Sequence, residues 1–270
     1  MARERRNGWM RLAIVILRTL QRFFTTYDFR GTENVPLSGG VLVAANHISL
    51  VDPPIVGRFT VDGVGRAPHF LAKSELFSIP LVGPVLRGAG QIPVYRQSAN
   101  AVLALRDAAT ALREGRLVVV YPEGTTTRDP DCWPMVGKTG IARLALETGA
   151  PVVPLAHFGS QRILPNVGKR RLKLFPRTRV TFLAGPPIDL SAYRGVEPTP
   201  EVLRAVTDVI MGEVRRLLGL IRGETPPTEF YSPGRAARLA AGQAEAPAVG
   251  TGPAEDVSTQ QESAPDETAG

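Results

Sequence analysis

An asparagine, a histidine and an aspartate, Asn46, His47 and Asp52, directly follow the apolar run Val41–Ala45. A histidine with a carboxylate in reach is a general base with its orienting partner. Five positions apart, the two side chains would lie about 140° from one another on an ideal helix. They meet only across a turn, which Pro53 favours by disfavouring α geometry at Asp52. The plainer alternative is a polar loop in which Ser49 or Asp52 caps a short helix.

Three further places could meet an anion. Arg96 ends the apolar stretch Gln91–Tyr95, where a guanidinium could clamp a phosphate with paired hydrogen bonds or be an ordinary solvated arginine. Pro122-Glu123-Gly124-Thr125 follows the run Leu117–Tyr121, with Arg128 just beyond. A short glycine-containing loop after a buried strand leaves backbone N–H groups for an anion; a turn with a capping threonine is the alternative. Lys138 stands just ahead of a helical stretch. Gly137-Lys138-Thr139 is not a P-loop, because Cys132 occupies the position of its first glycine. Pro154 lies inside another apolar run, which suggests a sheet edge or an irregularity near a ligand.

The elements that must position these groups read as an alternation. Val41–Ala45, Gln91–Tyr95, Leu117–Tyr121, Val152–His157 and Val180–Ala184 are strand-like, mostly apolar on both faces. Asn100–Glu114, Thr139–Thr148 and Pro200–Leu220 are helical in pattern. Doubly buried strands alternating with helices predict an α/β fold, a mainly parallel sheet flanked by helices.

Ahead of this lies Gly8–Tyr27, read as a basic amphipathic helix within a first segment of residues 1–29. Arg11, Arg18 and Arg22 share one side; Leu12, Ala13, Ile16, Leu17, Leu20, Phe23 and Phe24 share the opposite one. That pattern fits a helix lying in a membrane interface or one packed on the protein's own core. No small-residue cleavage site follows, so it is not read as a signal peptide, and no apolar run reaches the length of a membrane span. Residues 30–222 form the expected globular domain. Residues 223–270, rich in Pro, Ala, Gly and acids, are expected to be a disordered tail.

The chain has 32 basic and 25 acidic residues among 270. Six acids and no base fall in residues 241–270, so residues 1–240 carry 32 bases against 19 acids, a net +13. A body that basic expects an anionic partner. One cysteine excludes a disulfide framework, and three histidines leave little for a metal site; none is expected. No recognition-helix or aromatic RNA-binding pattern supports nucleic acid as a partner. The cluster Lys169–Lys173 reads as a solvated strand edge, with a nucleic-acid or lipid-headgroup patch as the alternative.

Taken in order, four blocks resemble those of the phospholipid/glycerol acyltransferase family, whose best-known members act on 1-acylglycerol-3-phosphate. They are Asn46-His47-x4-Asp52; Gly90-x-Ile92-x-Val94-x-Arg96; Pro122-Glu123-Gly124-Thr125; and Val153-Pro154, with Lys138-x-Gly140 between the last two. The resemblance covers about residues 30–190. Many members place an arginine directly after the threonine of the third block; here Thr126 and Thr127 precede Arg128. The resemblance implies acyl transfer from acyl-CoA or acyl carrier protein to the free hydroxyl of a lysophospholipid, 1-acylglycerol-3-phosphate first, giving phosphatidic acid, with another lyso-lipid or a glycolipid as the alternative acceptor and no cofactor. His47 would be the general base, oriented by Asp52. Arg96 and the Glu123-Gly124-Thr125 loop would seat the acceptor phosphate. The expected setting is the cytoplasmic face of the cell membrane, on anionic lipid. A non-catalytic lipid-surface protein is the rival class; the intact His47/Asp52 pair argues against it.

Overall fold

The computed structural model describes residues 7–94, 101–166 and 171–240. Contacts divide the chain into a unit spanning residues 1–233 and a second from 234 onward.

The chain opens with helix α1 (Gly8–Arg22), strand β1 (Thr25–Arg30) and β2 (Val41–Ala45). There follow α2 (Asp52–Arg58), continued by a π-helical turn Phe59–Val64, then β3 (Pro68–Lys73), α3 (Val82–Gly88) and β4 (Ile92–Val94). Next come α4 (Ala101–Arg113), β5 (Leu117–Val120), α5 (Gly140–Thr148), β6 (Val152–Phe158), the short α6 (Ser160–Ile163), β7 (Thr178–Ala184) and the long α7 (Pro200–Arg222). A last helix, α8, spans Pro233–Ala240.

The seven strands lie in the order β1-β7-β6-β2-β5-β3-β4. Five of them, β6 to β4, run parallel. β7 turns antiparallel to β6, and β1 is parallel to β7, so one edge pair runs against the rest. Alternate residues of the central strands feed two cores. Leu42, Ala44, Val118 and Val120 face Val206, Ile210 and Val214 of α7 together with α4 and α5. Val41, Val43, Ala45, Leu117 and Val119 face Ile55, Phe59 and Phe182. A strand covered on both faces must be apolar throughout, which is why these runs were continuous in the sequence.

Four expectations need correction. The first helix stops at Arg22, and Thr25–Arg30 joins the sheet edge; β1 gains a parallel ladder with β7 that a continued helix would forgo. Pro154 is not at an edge. It lies in β6 between β2 and β7. The β6 carbonyls of Val152 and Pro154 accept from Ile188 and Gly185, beyond the end of β7. The N–H that proline lacks therefore falls where the ladder has ended. The globular unit also runs past residue 222: the Val136 N–H donates to the Tyr231 carbonyl at 3.1 Å, and Arg215 sits 4.1 Å over the Phe230 ring. Finally, Arg171–Lys173 form no strand, while Lys169 and Arg170 lie outside the described residues.

α1 is neither free nor wholly packed. Met10, Ala13, Ile14 and Leu17 turn inward. Asn7 caps the helix by accepting the Met10 N–H at 2.9 Å and donates to the Gly88 carbonyl at 2.7 Å. A Cβ at Gly88 would come within 2.3 Å of the Trp9 ring, so only glycine lets α1 lie this close to α3. Leu12, Ile16, Leu20 and Phe23 remain exposed. Among the described residues no helix is long and apolar enough to cross a membrane.

Candidate active site

Three neighbouring strands deliver the chemistry at their carboxyl ends, where ligands of open α/β sheets bind. β2 leads into Asn46 and His47, β5 into Tyr121–Thr125, and β6 carries His157. After β2 the chain turns, and Asp52 heads α2 with Pro53 and Pro54 in its first turn, where a missing N–H costs nothing.

His47 Nδ1 lies 2.8 Å from Asp52 Oδ2. The same oxygen accepts the backbone N–H groups of Ile48 at 2.7 Å and Ser49 at 2.8 Å. One carboxylate oxygen thus closes the turn and fixes the ring. Asp52 is fully buried, while the His47 side chain keeps 13% exposure. Burial works against the charged carboxylate, but the facing His157 and His47 outweigh it and leave the acid below its ordinary value. With Nδ1 committed to Asp52, Nε2 is the nitrogen left to take a proton. The Tyr121 ring stacks on His47 at 4.2 Å between centroids, and Phe70 stacks on Tyr121 at 6.3 Å.

Behind the pair stands His157, which spacing did not single out. Its backbone N–H donates to Asn46 Oδ1 at 2.9 Å, and its carbonyl accepts from Asn46 Nδ2 at 3.0 Å. Its Nε2 contacts the Asn46 carbonyl at 2.9 Å and lies 3.7 Å from Asp52 Oδ2. Burial holds this imidazole below its usual value, and Nε2, facing a carbonyl oxygen, is the donor. Asn46 therefore ties β2 to β6 through both ends of its side-chain amide.

Glu123 has a different part from the one its motif implied. It is buried, with Oε1 accepting the His47 N–H at 2.9 Å and Oε2 accepting the Met135 N–H at 3.0 Å. Burial pushes its carboxyl up to about 8. Both oxygens accept backbone N–H groups and neither is turned toward a ligand, so the residue braces the turn. Thr127, one of the two inserted threonines, completes the clamp: its N–H donates to the His47 carbonyl at 2.6 Å. Its hydroxyl donates to the Trp133 carbonyl at 2.7 Å. Thr126 and the Thr127 carbonyl both bond to Asn166. A sequence signal existed for Thr127 only in its departure from the family pattern.

Gly124 adopts φ 70°, and a Cβ there would meet Lys138 Nζ at 2.9 Å. The absent side chain lets Lys138 lie across the loop, with its N–H on the Pro122 carbonyl at 2.8 Å. Thr125 is half-buried beside it, and Arg128 is exposed. Arg96 lies outside the described residues.

Comparison with known proteins agrees with this arrangement. A family model described as Acyltransferase matches residues 26–157. A 1-acyl-sn-glycerol-3-phosphate acyltransferase of Borreliella burgdorferi is 30% identical over 201 residues, 71% of each chain. The chain belongs to the acyltransferase family. The chloroplastic 1-acyl-sn-glycerol-3-phosphate acyltransferase BAT2 of Brassica napus is 32% identical over 145 residues, 53% of this chain and 40% of that longer one. Among solved structures, the 1-acyl-sn-glycerophosphate acyltransferase PlsC of Thermotoga maritima superposes with a TM-score of 0.61 at 25% identity, covering 81% of each chain.

This acyltransferase also holds an apolar cavity of about 180 Å³ between α1, α2, β3 and α3. Its walls include Met10, Ile14 and Leu17 of α1, Pro53 and Pro54 next to Asp52, and Phe70. Phe70 links it, through the stacked Tyr121, to His47.

Proposed function

We propose that this chain transfers an acyl group from acyl-CoA or acyl carrier protein to the free hydroxyl of a lysophospholipid, 1-acylglycerol-3-phosphate first, giving phosphatidic acid. The observation that carries the reading is the 2.8 Å contact of His47 Nδ1 with the buried Asp52 carboxylate. An alcohol is a weak nucleophile until a base takes its proton. His47 Nε2 takes the acceptor hydroxyl's proton as that oxygen attacks the thioester carbonyl. The tetrahedral intermediate collapses, the C–S bond breaks, and the departing sulfur receives the proton from His47. Asp52 holds the tautomer and stabilises the transient imidazolium. Glu123 and Thr127 fix the His47 backbone from both sides.

Lys138 and Arg128 supply positive charge near the Glu123–Thr125 loop for the acceptor phosphate, and Arg96 is proposed as its guanidinium clamp. The apolar cavity takes an acyl chain. The exposed stripe of α1 rests in the bilayer interface, at the cytoplasmic face of the cell membrane. The names of the relatives support this choice of acceptor.

The test is a panel of lyso-lipid acceptors with one labelled acyl-CoA, read by product mass. Phosphatidic acid formed by the wild type and lost in His47→Ala is the expected outcome. Labelled product from a glycolipid or neutral acceptor alone would replace the acceptor; no product from any acceptor or thioester would favour a lipid-surface protein without catalysis.

A further inference from the structure

Away from the catalytic turn, four arginines from three parts of the chain surround one open cavity of about 500 Å³. Arg18 and Arg22 come from α1, Arg58 from the end of α2, and Arg177 from the segment entering β7. The start of β1, Thr25 to Tyr27, lines the cavity as well. No residue of the His47–Asp52 turn or the Pro122–Thr125 loop lines it.

Like charges repel, and a basic protein normally disperses them. Here they are gathered and held. Asp62 bonds both Arg18 and Arg58. Arg58 also lies 5.1 Å over the Tyr27 ring. Arg177 donates to the Thr25 carbonyl at 3.0 Å. Arg22 has no carboxylate partner among the described residues. Four guanidiniums against one carboxylate leave a local excess of three positive charges. Planar, pre-positioned donors of this kind match the oxygens of a phosphate.

The location selects which phosphate. Arg18 and Arg22 lie about 140° around α1 from the exposed stripe of Leu12, Ile16, Leu20 and Phe23. With that stripe among acyl chains, the arginines stand at headgroup depth, and long arginine side chains span such a boundary readily. We infer that this cavity is a second anion site, which binds the phosphate of an anionic phospholipid headgroup and is separate from the acceptor site. The inference rests on the interfacial seat of α1 but not on the acyl-transfer reading, since its test reads binding alone.

The experiment is co-sedimentation of the full chain with phosphatidylcholine vesicles, with and without phosphatidylglycerol. Arg177→Gln is the decisive variant, because Arg177 lies outside α1. Each arginine near an anionic leaflet is worth about a fivefold change in binding. Arg177→Gln and Arg22→Gln should each lose about that factor on anionic vesicles and nothing on pure phosphatidylcholine. Arg194→Gln, at an exposed site remote in the fold, should bind as the wild type does. Melting temperatures establish that each variant is folded. Wild-type binding by a folded Arg177→Gln would overturn the site, as would an equal loss in Arg194→Gln, which would mean diffuse attraction. If inorganic phosphate at matched ionic strength stabilises the wild type while Arg177→Gln keeps full vesicle binding, the cavity serves a soluble anion and the lipid assignment falls.

Discussion

The Glu123 carboxyl accepts the backbone N–H of His47 at 2.9 Å, joining the loop after β5 to the His47–Asp52 turn after β2. Its other oxygen holds Met135, so a single side chain fixes three segments. Burial raises this carboxyl to about 8, above its ordinary 4.5. The folded state then holds a proton that the unfolded chain has released. Between about pH 4.5 and 8 this group binds more protons folded than unfolded, so its contribution to stability falls as pH rises. Melting curves across that window should show the decline, and Glu123→Gln, which cannot ionise, should flatten it. Glu123→Ala should be worse at every pH, because it orphans two N–H groups at about 1–3 kcal/mol each. An unchanged pH slope in Glu123→Gln would remove the buried proton from the account.

His47 and Asp52 should separate in a different way. His47→Ala should cut turnover by about 10²–10⁴-fold with little change in melting, since the ring is partly exposed and its backbone clamp remains. Asp52→Ala should lose both activity and stability, because Ile48 and Ser49 also rely on its Oδ2. Steady-state rates paired with calorimetry check this. A His47→Ala enzyme retaining half its turnover would defeat the general-base role.

Truncation should distinguish two points only a few residues apart. A chain ending at residue 224 loses the Tyr231 carbonyl that pairs with Val136. Val136 adjoins Met135, whose N–H holds Glu123. That chain should melt lower and turn over more slowly, whereas one ending at 233 should match the full chain. Equal behaviour of the two would show that the Tyr231 pairing carries no weight.

What the sequence disclosed followed burial and locality. β2, β5 and β6 were legible because strands covered on both faces are apolar throughout. β1, reading Thr-Thr-Tyr-Asp-Phe-Arg, sits at the sheet edge with mixed composition. Its Tyr27 extended the helical period of α1, so it was absorbed into that helix. β3 opens on Pro68 and went unread. Within the site, His47 and Asp52 were legible because they are five residues apart. The Asn46–His157 pair was not, because 111 residues separate its members and only the sheet unites them. The Pro122–Thr125 motif disclosed Glu123 as a residue type but not the direction it faces, which tertiary burial decides.

The exposed face of α1 offers a cleaner test of membrane binding than removal of the helix. Deletion would also strip Met10, Ile14 and Leu17 from the apolar cavity, so activity should fall even on detergent-dispersed acceptor. Replacing Ile16 and Leu20 with serine leaves the inward face intact, because both are more than half exposed. Burying such a side chain fully is worth about 1.5–3 kcal/mol. The double variant should therefore leave vesicles readily while melting as the wild type does. Undiminished sedimentation would place the membrane contact on another surface.

The apolar cavity makes the last prediction, on chain length. Its walls are almost wholly hydrocarbon, and Ala13 of α1 and Gly57 of α2 both line it. A Cβ at Gly57 meets only ordinary contacts, with Pro68 at 3.9 Å and Phe70 at 4.0 Å. A larger residue there can be accommodated at its base while filling the space beyond. Each methylene an acyl chain buries is worth about 0.8 kcal/mol, close to fourfold in binding. Ala13→Phe or Gly57→Leu should thus displace the distal methylenes of a long chain and leave a short one untouched. With donors of graded acyl length and one acceptor, kcat/KM should fall for long chains by about fourfold per excluded methylene. For short chains it should stay near the wild-type value, which moves the preference downward. Should the cavity instead hold the chain already on the acceptor, the same shift will follow acceptor length at fixed donor, so running both series identifies which chain it takes. A uniform loss across every length in both series would mean the substitutions disturb packing of α1 on α2, and the cavity would have no part in chain selection.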